Sequence, residues 1–286
     1  MTTLRPHDPL TVLYRVLAVS RSGYHAWTRR RPSKCTQENA RLEVAIQAAH
    51  VRTRQTYGPE RLRDELKDDG FTAGVGRIKR VRKKLGLCCK QRRKFTVTTD
   101  STHHLPVAPN LLGQKFESCR PNETWVTDIT YIPTGEGWLY FAGIKDLHTC
   151  EVVGHAMGAR MNTELVSRAL VKAVGAKRPS PGLIHHSDRG SQYCAQDYQG
   201  LLREFGMHAS MSRRGNCYDN APMESFWGTL KNELVHHSHY DTRAQAIREI
   251  TEYIEMFYNR QRRHSRLGNL SRAAFVQQWS RQQPAA

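Results

Sequence analysis

Nothing constrains the fold of this chain more than the run Thr124-Trp-Val-Thr-Asp-Ile-Thr-Tyr-Ile132, whose β-branched and aromatic residues make it a strand by propensity and by length. An aspartate, Asp128, stands at its centre. An acid inside a core strand is costly unless it is paired or binds a metal. Two more strand-like stretches follow, Trp138 to Lys145 and Glu151 to Met157, separated by a polar turn at Asp146 to Thr149, so the three can form an antiparallel meander. Val166, Ala169, Leu170, Ala173 and Val174 then repeat with helical spacing, after the plausible cap Asn162 or Thr163 and before Gly175. Leu183-Ile-His-His186 reads as a buried strand, and a helix through Leu201, Leu202 and Phe205 follows it. That order predicts an α/β fold with an RNase H-like core, a mixed five-stranded sheet with helices.

Upstream of the sheet the periodicity is helical. Leu13, Val16, Leu17 and Tyr24 mark a short helix and turn between Leu10 and Trp27, and helix resumes near Gln37 after a basic stretch through Lys34. Pro59 suits a first helical position, Leu62 and Leu66 mark one apolar face, and Gly70 ends the segment. A second helix, with Val75, Ile78, Val81 and Leu85 inward, stops near Gly86. The pair makes a helix-turn-helix-like unit at about 57–87. The second helix and its tail carry Arg77, Lys79, Arg80, Arg82, Lys83, Lys84, Lys90, Arg92, Arg93 and Lys94. Phosphates would relieve their mutual repulsion, so Arg77, Arg80 and Lys84 are expected DNA contacts, a solvated helix face being the plainer alternative. Residues 95–121, with Pro106, Pro109 and Pro121, read as a linker. The expected domains are a small helical DNA-binding region at 1–94, that linker, and a catalytic core with C-terminal helices at 122–286. Near the end, Ile247, Ile250, Ile254 and Phe257 form an inward stripe, and Arg260, Arg262, Arg263 and His264 offer a second phosphate contact.

Lys plus Arg number 44 against 26 Asp plus Glu, a formal net charge of +18 that concentrates polyanions at the surface, so nucleic acid is the natural partner. No apolar run nears the roughly 20 residues of a membrane span, and no lipidation motif or basic amphipathic anchor supports a membrane role. Met1 to Leu10 lacks a signal-peptide pattern, and a cytoplasmic location is expected. The seven cysteines are scattered without a CxxC pair and read as reduced packing thiols rather than zinc ligands.

Asp188 follows the fourth strand directly, and Glu224 lies in a helix that begins near Asn220-Ala-Pro with Phe226, Leu230 and Leu234 as its buried stripe. Its carboxylate could therefore point back at the sheet. Taken singly, each acid has an ordinary explanation: a core hydrogen bond for Asp128, a turn cap for Asp188, a surface position for Glu224. Were all three to meet, each pair at about 4 Å would repel by roughly 4 kcal/mol at an effective dielectric of 20. Cations must offset that, and hard oxygen ligands favour Mg2+ or Mn2+ over zinc. The chemistry suited to such a site is in-line attack on a phosphodiester with two ions.

Asp188 comes 60 positions after Asp128, and 35 residues separate Asp188 from Glu224. This spacing resembles the DDE pattern of transposases and retroviral integrases. The surrounding words are more specific: Trp125-Val-Thr-Asp-Ile-Thr-Tyr131, His186-Ser-Asp-Arg-Gly-Ser-Gln-Tyr193, and Ser212-Arg-Arg-Gly-Asn-Cys-Tyr-Asp-Asn220 leading into Glu224-Ser-Phe-Trp. All three resemble the second-reading-frame transposases of the IS-three insertion-sequence family. The likeness spans nearly the whole chain, from Arg15-Val-Leu-Ala-Val-Ser-Arg-Ser-Gly-Tyr24 and Tyr57-Gly-Pro to Tyr258-Asn-Arg-Gln-Arg-Arg-His-Ser-Arg-Leu-Gly268. It implies that Asp128, Asp188 and Glu224 are the catalytic metal ligands, and that Lys231 is the family's basic residue seven positions after the glutamate. Lys231 would share a helix face with Glu224 about 10 Å along the axis, too far for the same metal but suited to a DNA phosphate. The resemblance also implies terminal inverted repeats and target DNA as partners, a homo-oligomer on DNA, and an upstream-frame partner that supplies a further helix-turn-helix and a coiled coil. One departure is Arg272, where the family usually has proline. It leaves the start of the last helix open.

Arg213, Arg214 and Asn216 precede the catalytic helix and could touch the DNA end, with a basic loop as the alternative. Asp146 and Asp219 sit in turn-like contexts and read as structural acids. His185 and His186, at a strand end, read as hydrogen-bonded rather than catalytic. Two rivals to a transposase remain at this stage: an RNase H-fold nuclease without strand transfer, and a catalytically silent DNA-binding regulator.

Overall fold

Side-chain caps and apolar stripes set where the chain turns helical in the computed structural model, which describes residues 9–90 and 106–282. Helices α1 (Leu10–Val16) and α2 (Arg21–Arg29) come first, the second capped by Ser20 Oγ accepting from the Gly23 amide. Ser33 Oγ likewise caps α3 (Lys34–Arg52), a few residues earlier than the apolar pattern predicts. Pro59 takes the first turn of α4 (Pro59–Asp68), and α5 (Val75–Lys84) follows. Leu42, Ile46, Tyr57, Leu62, Leu66 and Ile78 are buried together between α3, α4 and α5. The stripe predicted for α5 holds at Ile78 and Val81, while Val75 and Leu85 are only half-buried. Arg92, Arg93 and Lys94 lie outside the described residues.

The expected meander is present as β1 (Thr124–Thr134), β2 (Gly137–Asp146) and β3 (Val152–Gly158), each pair antiparallel. Helix α6 (Thr163–Lys177) starts at the predicted cap, Asn162 Oδ1 accepting from the Leu165 amide at 3.1 Å. After β4 (Ile184–Ser187), the short α7 (Ser191–Cys194) and α8 (Gln196–Glu204), a fifth strand, β5 (His208–Met211), completes the order β3-β2-β1-β4-β5. Strands β1, β4 and β5 run parallel, so the sheet is mixed. One face buries Trp125 and Ile144 against Leu165, Val166 and Leu170 of α6. The opposite face buries Val126, Ile132 and Phe141 against α9 (Ala221–Glu233) and α10 (Arg243–Glu252).

Beyond α10 the chain widens into a π-helical stretch, Tyr253–Tyr258. Here the predicted stripe is corrected. Ile247 is exposed and Ala246 takes the inward position, followed by Ile250, Ile254 and Phe257. A small hairpin, β6 (Arg263–His264) and β7 (Leu270–Ser271), leads to α11 (Arg272–Gln282). Arg272 therefore opens the last helix where the family usually has proline. Its side chain is fully buried, with Nε donating to the Cys150 carbonyl and Nη1 to that of Tyr258.

Two expected phosphate contacts point inward instead. Arg262 forms a buried ion pair with Glu233 at 2.7 Å, and Arg263 pairs with Glu65 at 2.9 Å and with Asp68. The Arg263 amide also donates to Tyr57 Oη at 2.6 Å. This C-terminal segment thus docks the helical unit through the acidic face of α4, leaving Lys79, Arg80 and Lys83 of α5 exposed. Among residues 106–121 no helix or strand forms, yet Leu112 is buried in the core that also holds α9. No helix among the described residues is long and apolar enough to cross a membrane.

Candidate active site

Strand β1 pairs with β4 only from Thr124 to Val126, and beyond that point the two parallel strands part. Asp128 lies just past the last paired residue of β1, and Asp188 directly follows β4. Asp188 therefore stands at the carboxyl end of a parallel strand, where open α/β sheets commonly bind ligands, and Asp128 faces it from the stretch of β1 that no longer pairs with β4. Asp128 is half-buried; its Oδ2 accepts from Trp227 Nε1 at 2.9 Å and its Oδ1 from the Ile129 amide at 2.8 Å. Burial, and after it the charge of Asp188, raises the Asp128 carboxyl to about 7, with a smaller push from Glu224. Asp188 Oδ1 accepts from the Gly190 amide at 2.9 Å, which shapes the turn into α7.

Glu224 occupies the first turn of α9, the helix whose Met223, Phe226, Trp227 and Leu230 face the sheet. Its own side chain is exposed, and partial burial raises its carboxyl. Among the described residues, no three His, Cys, Asp or Glu side chains are close enough to share one metal ion. Asp128 and Asp188 are electrostatic neighbours, and Glu224 stands apart while still within range of Asp128.

The start of α9 is tied to the sheet by three side chains. Asn220 Nδ2 donates to the Thr127 carbonyl at 3.0 Å, Lys145 Nζ to the Pro222 carbonyl at 3.1 Å, and Trp227 to Asp128 as above. Gly143, opposite Asp128 in β2, leaves room for the indole: a Cβ there would lie 2.9 Å from Trp227 Cη2. Sequence reasoning assigned none of these roles. Only Trp227 carried a signal, since three residues along a helix place it beside Glu224.

Lys231 is half-buried, with Nζ 5.3 Å from the centroid of the Tyr131 ring. Burial lowers its pKa while the charge of Asp128 opposes that shift. Of the other expected DNA contacts, Arg80 and Arg214 are exposed. Arg77 instead donates to Asn39 Oδ1 at 2.8 Å and pairs with Glu38, and Lys84 pairs with Glu43 at 2.5 Å, both reaching back to α3. Asn216 Oδ1 accepts from the Tyr218 amide at 3.1 Å, so it organises the turn before α9.

Arg213 is bound to Asp219, donating from Nε at 3.0 Å and Nη2 at 2.9 Å. The fully buried Asp219 also accepts from Asn110 and Gln114 at 2.9 Å each, and so fastens the 106–116 segment to the loop before Glu224. Its carboxyl is held well below the usual range, chiefly by the Arg213 hydrogen bonds. An acid depressed in this way stabilises the fold above its unfolded pKa and ceases to as pH falls through its folded one. Asp219→Ala should cost about 1–3 kcal/mol in urea unfolding at neutral pH, because the donors from Arg213, Asn110 and Gln114 that converge on it lose their shared acceptor. An unchanged midpoint would remove this structural role.

His185, His186 and Asp146 each sit in hydrogen bonds within the fold. His185 is held neutral, at about 3, by burial and then by the neighbouring His186, and its Nε2 lies 3.2 Å from Tyr198 Oη. Burial lowers His186 to about 4, and its ring nitrogens meet Ser210 Oγ and Ser212 Oγ. Asp146 accepts from the amides of Asn122 and Thr149 at 2.7 Å each and shapes the β2–β3 turn.

Two carboxylates where parallel strands part, a glutamate on a facing helix and a basic helical unit fit the class of polynucleotidyl transferases with an integrase core. Comparisons with known proteins agree. Residues 119–217 and 205–271 match two families described as Integrase core domain, and residues 36–95 match the HTH-like domain family. The insertion element IS600 31 kDa protein of Shigella sonnei is 58% identical over 265 residues, 93% of this chain and 97% of that one. Transposase InsF for insertion sequence IS3A of Escherichia coli K12 is 41% identical over 268 residues, 93% of each chain. The chain belongs to the IS3 family of insertion-sequence transposases. Among solved structures, the catalytic core domain of HTLV-2 integrase in complex with magnesium gives a TM-score of 0.43 at 15% identity, covering 55% of this chain and 97% of that one. A simian T-cell lymphotropic virus intasome gives 0.43 at 16%, covering 68% and 65%.

Proposed function

We propose that this transposase nicks donor DNA at insertion-sequence ends and joins the freed 3′-hydroxyl to another strand, with Asp128, Asp188 and Glu224 as ligands of Mg2+ or Mn2+, two ions per site. The observation that carries the reading is the Asp128–Asp188 pair: Asp128 is surrounded by neutral donors, desolvated, and pushed upward by the charge of its neighbour. Such a pair fits a hard divalent cation, because carboxylate oxygens without clustered Cys or His are its preferred donors. Asp128 and Asp188 would hold it, and Glu224 would join them from the exposed first turn of α9. Bound there, the metal would supply activation of an attacking hydroxyl and stabilisation of the leaving oxygen.

In the first step a water oxygen bonds to phosphorus as the bond to the 3′-oxygen breaks. In the second, the freed 3′-hydroxyl attacks a phosphodiester of the other strand and displaces that strand's 3′-oxygen. The protein's part is to hold both strands in line. Lys231 would meet a phosphate beside the acids, with Arg213, Arg214 and Asn216 at the DNA end. Arg77, Arg80 and Lys84 would engage the terminal repeat after Arg77 and Lys84 exchange α3 carboxylates for phosphates. A homo-oligomer on DNA and an upstream-frame partner complete the reading.

The test is purified protein with labelled terminal DNA and Mg2+. Joined product that requires both the ends and the metal is expected. Hydrolysis of DNA lacking those ends, without joining, would instead mark a nuclease, and binding without either reaction a regulator.

A further inference from the structure

Trp138 is the second residue of β2, beside the tip of the first hairpin, and leaves half of its surface, 50%, in solvent. A single exposed apolar residue needs no explanation. Trp138, however, is part of a row. Its ring meets Tyr131 edge-on, with centroids 4.9 Å apart at 76°, and the Lys231 ammonium lies 5.3 Å from the other partner in the row, the Tyr131 centroid. Tyr131 is three residues beyond Asp128 on the same strand, about 10 Å at strand rise. On this edge β1 has already parted from β4, so no neighbouring strand covers it.

We propose that Tyr131 and Trp138 form a stacking platform for one unpaired nucleobase of the substrate DNA, with Lys231 taking the phosphate attached to it. The chemistry singles out this occupant. An indole half exposed to solvent offers aromatic surface that any base can cover, and base–aromatic stacking tolerates every sequence. The adjacent cation matches a polyanion rather than an apolar peptide, in a chain whose net charge is +18. A fully paired duplex hides its base faces, so the platform selects DNA that has frayed or been distorted close to the acids. It would thereby hold the scissile strand open while the phosphodiester is presented.

The proposal rests on the transposase reading of the neighbouring acids, but its test does not depend on catalysis. Terminal DNA carrying 2-aminopurine, moved one position at a time around the cleaved bond, is titrated with the full chain in EDTA. At one position wild-type protein should quench the probe, and Trp138→Ala should abolish that quenching and weaken binding by roughly tenfold. Trp138→Phe should keep most of both. Replacing that single nucleotide by an abasic one should weaken wild-type binding by a similar factor and leave Trp138→Ala binding unchanged. Because Trp138 is exposed, the variants should melt with the parent protein, which separates lost stacking from lost folding. Equal binding by Trp138→Ala, or equal loss on intact and abasic DNA, would overturn the platform. Failure of strand transfer with the quenching intact would count against the catalytic reading alone.

Discussion

Asp128→Asn protein should melt above the parent in EDTA, by the equivalent of about 2 kcal/mol, while losing strand transfer by at least about a thousandfold. The two halves of this result have one cause. Without metal, the folded state disfavours the Asp128 charge through desolvation and through Asp188, which raises the group from 3.8 to about 7. An acid raised on folding binds a proton that the unfolded chain has released, so its ionisation lowers stability as pH climbs between those values. Asparagine cannot ionise and escapes that cost, although it gives up one of the two accepted hydrogen bonds. With Mg2+ added, the parent should gain melting temperature by mass action and the variant should not. Differential scanning calorimetry with and without Mg2+, beside a strand-transfer assay, reads both. A variant that melts lower in EDTA or keeps transferring strands would refute the assignment.

Glu233→Ala should destabilise the protein by about 3–5 kcal/mol, a large part of the 5–15 kcal/mol typical of a whole protein. Glu233 accepts from Arg262 Nε at 2.8 Å, from Arg262 Nη2 at 2.7 Å and from Tyr253 Oη at 2.7 Å, and both members of the ion pair are buried. The surroundings make the carboxylate hard to replace. Burial, followed by the charges of Arg272, Lys145, Arg262 and Arg61, holds His264 at about 3, so four cations converge on this region. Removing Glu233 leaves Arg262 uncompensated among them. Glu233→Gln, which keeps an acceptor, should lose less. Urea unfolding followed by circular dichroism orders the three proteins, and a wild-type midpoint for Glu233→Ala would show that other groups neutralise the cluster.

The sheet was legible because its strands carry strong local signals. Thr124–Ile132 is dense in β-branched and aromatic residues, and α6 begins at a side-chain cap that its sequence declares. Strand β5 was not legible: His208-Ala-Ser-Met211 is four residues without alternation, and only pairing with β4 makes it a strand. The acids were legible as a spacing, but their relation in space was not. Burial of Asp128 depends on Trp227 lying over Gly143, a contact between residues far apart in the chain. Charge was the weakest guide. Arg262 and Arg263 look like phosphate contacts in a basic run, yet each meets a carboxylate that only the tertiary fold delivers. The same holds for Arg77 and Lys84, whose partners lie on α3.

The early end of the β1–β4 ladder bears on how such a site can adjust. A carboxylate anchored in the middle of a fully bonded sheet could move toward its neighbour only by rupturing backbone pairing. Here Val126 and His186 form the last rung between the two strands; Asp188 lies beyond the end of β4, while Asp128 is still held on its other side by pairing with Gly143 of β2. A segment past the end of a strand yields more readily than one bonded to a neighbour. Adjustment of the gap between the acids therefore falls to the Asp188 side, while Asp128 and the hydrophobic layers beneath stay fixed by the β1–β2 ladder.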